Sequence, residues 1–160
     1  MRIKALLLLG FVLIGLNGFS QKVYNETIDA KQELDKAILR AEKENKHVLA
    51  IVGGNWCKWC LMFDEFTKTN EAVKQALEKD YIIVKVNWSK DNKNPEAMKA
   101  LDNPKRFGFP VFVVLDQKGK RLHTQNSAYL EKGEGYNEKE VINFLNHWNF
   151  QAIENSKTDY

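Results

Sequence analysis

Apolar residues along this chain keep two rhythms, and the switches between them mark the elements. From Asp29 onward, Leu34, Ala37, Ile38 and Ala41 recur at helical spacing, and Asp29 with Gln32 three residues on is a helix-start pairing. The spacing predicts a helix to about Lys46, where Asn45 helps to end it. Residues 47–52 form a continuous apolar run closed by Gly53 and Gly54, short and β-branched as a strand buried on both faces would be. Leu61, Met62, Phe63 and Phe66 predict an amphipathic helix to about Thr69, and Asn70 can cap a second helical piece carrying Val73, Ala76 and Leu77. Residues 81–88 read as a strand, and Asn94 before Pro95 opens a short helix to about Leu101. A buried strand at 111–115, a hairpin-type turn at 116–119 and a returning strand at 120–124 follow. Past a polar loop at Glu131 to Gly135, a closing helix runs from Glu138 to about Asn149, with Val141, Ile142, Leu145 and Trp148 on its apolar face.

Strands that alternate with helices imply parallel pairing, and the turn at 116–119 adds an antiparallel pair. The predicted fold is therefore α/β, a mixed central β-sheet flanked by helices on both faces. One domain is expected over 29–150, preceded by an arm at 21–28 with a short strand at Lys22-Val23-Tyr24. Residues 151–160 are polar and are expected to fray.

Composition excludes disorder: of 160 residues, 44% are hydrophobic and 28% charged, enough for one domain with a core. The first twenty residues stand apart. Arg2 and Lys4 precede an apolar run from Ala5 to Leu16, and Gly18 and Ser20 are small, which together make a secretory signal peptide. The apolar run is shorter than the ~20 residues of a bilayer-spanning helix. Residues 1–20 are therefore expected to be cleaved, leaving Gln21 as the mature N-terminus of a periplasmic or secreted protein. Without Arg2 and Lys4, 22 of the 24 Lys and Arg remain against 21 Asp and Glu. A chain so near neutrality gives no electrostatic reason to bind nucleic acid or an anionic membrane.

Export changes how the 2 cysteines, Cys57 and Cys60, read. A bridge across so short a loop constrains little of the unfolded chain, so their spacing points to chemistry rather than stapling. Cys57 follows a buried strand and opens a helix, where unpaired backbone N–H groups favour a thiolate, and Lys58 adds a neighbouring positive charge. Cys60 lies one turn on, on the same face. Cys57 is the expected attacking thiolate, and Cys60 the deeper thiol that resolves a mixed disulfide. Zinc would need four ligands, and His47, His123 and His147 are scattered; covalent haem would need His where Leu61 stands. No metal and no bound cofactor are expected.

The run Trp56-Cys57-Lys58-Trp59-Cys60 after an apolar strand, with Gly108-Phe109-Pro110 opening a later one, resembles the thioredoxin superfamily. It is most like exported thioredoxin-like proteins, including the C-terminal periplasmic domain of the transmembrane disulfide reductase. The likeness covers about Asp29 to Asn149. It implies a thioredoxin-like fold, a cis Phe109–Pro110 bond facing the cysteines, and partner docking through the backbone of Phe109. Thioredoxins also carry a buried acid six residues before the first Cys, where Ile51 stands here. Asp64, four residues after Cys60 on the same helix face, is the candidate proton acceptor, with Glu65 as the fallback. Lys58-Trp59 replaces thioredoxin's Gly-Pro, so redox poise does not carry over. Trp56 and Trp59 are expected to form an apolar rim for docking, Trp88 and Trp148 to be core or helix cover, and His47 a strand-edge residue without a role.

These residues predict a thiol–disulfide oxidoreductase acting on exported proteins that bear disulfides or thiols. By the resemblance it works as a reductant, a monomer re-reduced by a membrane electron donor. The alternatives are a thioredoxin-like binding module with vestigial cysteines and, with Met62 as its only support, a metallochaperone.

Overall fold

In the computed structural model, which describes residues 22–158, the apolar run before the cysteines becomes the hub of the sheet. This strand, β1 (His47–Gly53), is buried along its whole length. It pairs in parallel with β2 (Tyr81–Asn87) and antiparallel with β3 (Val111–Leu115), and β3 pairs antiparallel with β4 (Arg121–Asn126). The order is β2-β1-β3-β4. Ala50 sits mid-register, opposite Val84 on one side and Val113 on the other.

The mixed sheet agrees with the sequence pattern, but the β1–β3 pairing runs against the parallel expectation. The only α-helix between β2 and β3, α4 (Pro95–Ala100), has 6 residues. That is about 9 Å of helix, too short to carry the chain back along a strand of roughly 23 Å. The connection, with its 3-10 turn at Pro104–Phe107, stays at one end of the sheet, and Val111 enters opposite Val52 near the end of β1.

Alternation along β1 divides the core in two. Val48, Ala50 and Val52 pack with Leu34, Ala37 and Ala41 of α1 (Ala30–Glu44) and with Ala97 and Met98 of α4. Leu49 and Ile51 face the other way, toward α2 (Lys58–Thr69), α3 (Glu71–Asp80) and α5 (Glu138–Trp148) through Phe63, Leu77 and Leu145. Helices thus flank both faces.

The boundaries follow from capping. The Asp29 carboxylate accepts from the N–H groups of Lys31 and Gln32, and Asn45 ends α1 in the left-handed region at φ 52. Asn70 separates α2 from α3 and accepts from Val73 N–H. Asn94 does not cap α4 with its side chain. Its amide instead accepts from Ala30 N–H at 3.0 Å and donates to Asn87 C=O at 2.8 Å, tying three elements together.

Several expectations are corrected. Lys22-Val23-Tyr24 is not a strand; the N–H and C=O of Tyr24 are both satisfied by the Asn55 side chain, at 2.9 and 2.8 Å. The loop at Glu131 to Gly135 is a small hairpin of β5 (Glu131–Lys132) and β6 (Gly135–Tyr136). The tail forms α6 (Phe150–Thr158), whose Phe150 ring meets His47 edge-on at 5.8 Å. His47 is buried at the start of a central strand, and its Nδ1–H donates to Trp148 C=O at 2.8 Å. The α5 apolar face also buries Phe144. The signal segment and the start at Gln21 lie outside the described residues.

Candidate redox site

Cys57 and Cys60 are joined as a disulfide, with Cα atoms 5.2 Å apart. Cys57 is the N-cap of α2, in extended backbone, and its Sγ accepts from Cys60 N–H at 3.2 Å. In the reduced protein a thiolate at Cys57 would keep that donor and the positive end of the helix, the physical cause of thiol activation at such a position. The exposures follow the expected order, 6% for Cys57 and 1% for Cys60. Lys58 points to solvent beside them.

Two glycines let the site close. A Cβ on Gly53 would lie 2.5 Å from Cys60 Sγ and 2.8 Å from Tyr24 Oη, and one on Gly54 would lie 2.4 Å from Trp56 Nε1. Both positions read in the sequence only as a strand boundary.

The Phe109–Pro110 bond is cis, as the resemblance implies, and Gly108 before it takes φ 86, a region that disfavours side chains. Pro110 is buried, and Phe109 packs against the cluster of Tyr24, Cys57 and Cys60. The expected Trp56–Trp59 rim divides. Trp56, 55% exposed, meets Phe109 edge-on at 5.4 Å, and Trp88 stacks on the same ring at 5.2 Å. Trp88, expected as core or helix cover, does pack against the core around β1 and also joins the apolar surface beside the cysteines. Trp59 turns the other way, edge-on to Tyr136 at 5.8 Å, and its C=O accepts from Tyr136 O–H at 3.1 Å. The hairpin of β5 and β6 thus buttresses the motif.

Asp64 is buried at 6% exposure, paired with Lys68 at 2.6 Å and with Lys85 of β2. Burial alone would raise its carboxyl, but the two ammonium groups outweigh this and hold it below the ordinary aspartate value. It lines a cavity of about 180 Å³ together with Cys60, Ile51, Tyr24 and Lys85. Where the strand offers Ile51, the acid reaches the cavity from α2 instead. Glu65 is exposed and does not line this cavity.

Sequence reasoning missed Tyr24, Asn55, Trp88, Lys85 and Tyr136. Lys85 had a signal, a charge inside the apolar run Ile82-Ile83-Val84 and Val86. Tyr24 had none, since its burial depends on an Asn 31 residues away.

The family described as Thioredoxin-like matches residues 29–117. The thiol:disulfide interchange protein DsbD of Actinobacillus pleuropneumoniae serotype 5b (strain L20) is 25% identical over 123 residues, covering 76% of this chain and 19% of that protein. The chain thus corresponds to about a fifth of that relative's length. Among solved structures, a disulphide isomerase from Xylella fastidiosa Temecula1 aligns with a TM-score of 0.68 at 25% identity, over 78% of this chain and 94% of that one. A thioredoxin from Thermus thermophilus shares the fold at 16% identity and a TM-score of 0.50, covering 79% and 92%.

Proposed function

The chain belongs to the thioredoxin-like family, and from this premise we propose that it is a thiol–disulfide oxidoreductase acting on exported protein partners in the reducing direction. The observation that carries the reading is Cys57 at the tip of α2, its sulfur held by Cys60 N–H at 3.2 Å, beside the aromatic surface of Trp56, Trp88 and Phe109. The Cys57 thiolate attacks a partner disulfide and releases one partner thiolate. Cys60 then loses its proton and attacks Cys57 Sγ, releasing the second partner thiolate and closing the internal disulfide. Both electrons come from the sulfur pair, so the reaction calls for no bound cofactor.

The exposed ring of Trp56 and the half-buried ring of Phe109 would receive the partner chain, and Asp64 would take the Cys60 proton. Lys58 and Trp59 would tune the potential. Export rests on residues 1–20 of the sequence. In an oxidising compartment the spent disulfide must be re-reduced by a membrane electron donor, and the protein would act as a monomer. The relatedness to DsbD and to a disulphide isomerase supports thiol–disulfide chemistry.

The test is a pair of variants. Cys57→Ser should abolish reduction of a protein disulfide, and Cys60→Ser should hold the partner as a mixed disulfide on Cys57. Partner binding unchanged in Cys57→Ser, with no turnover even by the unaltered protein, would instead make the domain a binding module.

A further inference from the structure

The exchange reading leaves one step without a path: Cys60 is 1% exposed and must lose a proton before it can resolve the mixed disulfide. We propose that Tyr24 is the relay for this proton, passing it from Cys60 toward Asp64, so that the N-terminal arm is part of the redox site; the inference rests on the exchange reading above.

The Tyr24 ring is buried in one cluster with Cys57 and Cys60. The same empty point above Gly53 lies 2.5 Å from Cys60 Sγ and 2.8 Å from Tyr24 Oη. Hydroxyl and sulfur therefore face each other across a residue with no side chain, within reach of at most one bridging water. Both line the cavity of about 180 Å³ that Asp64 and Lys85 also line. Most of its lining is apolar, and Asp64, Lys68 and Lys85 supply the polar side at which water can be held.

Two further observations set Tyr24 apart from ordinary core filler. A buried tyrosine hydroxyl usually finds a hydrogen-bond partner. Among the described residues no hydrogen bond holds that of Tyr24, and it is not sealed off like Asn87 Oδ1, the one closed-in side-chain atom there without a partner, so it is free to meet water in the cavity that Tyr24 lines. Tyr81 O–H by contrast donates to Leu145 C=O at 2.6 Å and Tyr136 O–H to Trp59 C=O at 3.1 Å. The Tyr24 backbone is also held at two points by Asn55, two residues before Cys57, so the arm is fixed to the motif's own loop. Burial, and then the Asp64 charge, raise the phenol well above its ordinary value. It stays protonated and relays by accepting one proton while donating another, not by acting as a base.

The step balances. The Cys60 thiol gives its proton to Tyr24 Oη, directly or through one water, as Tyr24 gives its own to the Asp64 carboxylate. Held ionised by Lys68 and Lys85, Asp64 is a transient stop and hands the proton on to bulk water. The Cys60 thiolate attacks Cys57 Sγ, the Cys57–partner bond breaks, and the partner leaves as a thiolate that takes a proton from water. The charged and titratable groups around this path are Asp64 and Lys68 of α2, Lys85 of β2 and Tyr136 of β6.

Reduced protein is mixed with a disulfide-bonded peptide, quenched in acid, and the mixed disulfide and the internal disulfide are counted by mass over time. In Tyr24→Phe, attack by Cys57 should match the wild type, which also reports that the variant is folded. Resolution should slow on the order of tenfold at neutral pH, and the gap should close at high pH, where hydroxide removes the proton. Tyr24→Phe combined with Asp64→Asn should slow resolution no further than the slower single variant, because both lie on one path. A solvent-deuterium titration of wild-type resolution, which needs no variant, should curve because more than one proton moves together. Resolution at the wild-type rate in Tyr24→Phe at every pH, multiplying effects in the double variant, or a linear deuterium dependence would each overturn the relay. A wild-type protein that attacks and resolves with none of these signatures loses only the relay; one that forms no mixed disulfide loses the exchange reading, and the relay with it.

Discussion

Trp56 Nε1 donates to the backbone C=O of Trp88 at 2.8 Å, across 32 residues of sequence. The bond fixes an exposed indole that edge-on contacts with Trp88 and Phe109 also hold, and the three rings make one apolar surface beside the cysteines. Exposed aromatic anchors of this kind carry much of the energy when a partner docks. Trp56→Ala should lower kcat/KM for a protein disulfide about tenfold, equivalent to ~1.4 kcal/mol. Reaction with dithiothreitol, too small to use the surface, should change about twofold or less. Equal losses for both reductants and protein substrates would show that Trp56 acts on the cysteines rather than on docking.

Asp64 makes a second prediction, on stability against pH. Its carboxyl is held below the ordinary aspartate value in the fold, so the unfolded chain takes up a proton first as pH falls. The stabilisation is therefore complete above the ordinary aspartate range and is lost as pH drops through the folded value. Asp64→Asn should cost about 1 kcal/mol at neutral pH, because Lys68 and Lys85 lose a partner that is itself buried. The difference from wild type should shrink in acid. Denaturant melts of both proteins from pH 7 to pH 3 measure it.

Gly53→Ala tests the packing behind the disulfide. The new methyl would lie 2.5 Å from Cys60 Sγ, which the disulfide ties to Cys57, and 2.8 Å from Tyr24 Oη, so both must shift to admit it. Overpacking of this kind costs roughly 1–3 kcal/mol. Gly135→Ala, where no atom lies within 4 Å of the added carbon, should change stability by about 0.5 kcal/mol or less. Thermal melts of the two variants make the comparison.

His47 carries a pH response at the far end of β1. Burial lowers its imidazole below the ordinary value of 6.5, partly offset by the bond to Trp148 C=O and by the nearby charges of Asp116 and Glu154, while Lys157 lowers it further. The unfolded chain again binds the proton first, so stability is full above about pH 6.5 and falls as pH drops through the folded value. His47→Gln, which can still donate to Trp148, should flatten the melting temperature between pH 7 and pH 5. A slope unchanged in the variant would assign that pH response to other groups.

What the sequence made legible was local. The caps at Asp29 and Asn70, the buried runs of β1 and β3, the turn at Asp116 to Gly119 and the helix-tip position of Cys57 each depend on residues within a turn or two of one another. What stayed hidden depends on pairings between distant segments. Tyr24 reads as part of a short strand in an N-terminal arm because the Asn55 clamp that buries it is far away in sequence. Trp88 looks like the end of a strand until Trp56 and Phe109 are placed beside it. The direction of β3 follows from the shortness of α4 between it and β2, which the sequence did show; the parallel expectation for β3 took no account of it. The tail forms a helix because Phe150 packs on His47, a contact its polar composition conceals. Asp64 lay between the two cases: its spacing from Cys60 was visible, but its burial and its pairing with Lys85 were not.

The most direct measurement is the equilibrium of the Cys57–Cys60 pair with glutathione or dithiothreitol buffers of known potential, read as the fraction of reduced protein. A reductant should show one two-electron transition clearly below protein disulfide isomerase's value of about −180 mV, toward thioredoxin's of about −270 mV. A midpoint near −120 to −180 mV would contradict the reducing direction, and a pair that does not cycle at all would contradict thiol–disulfide exchange by this protein.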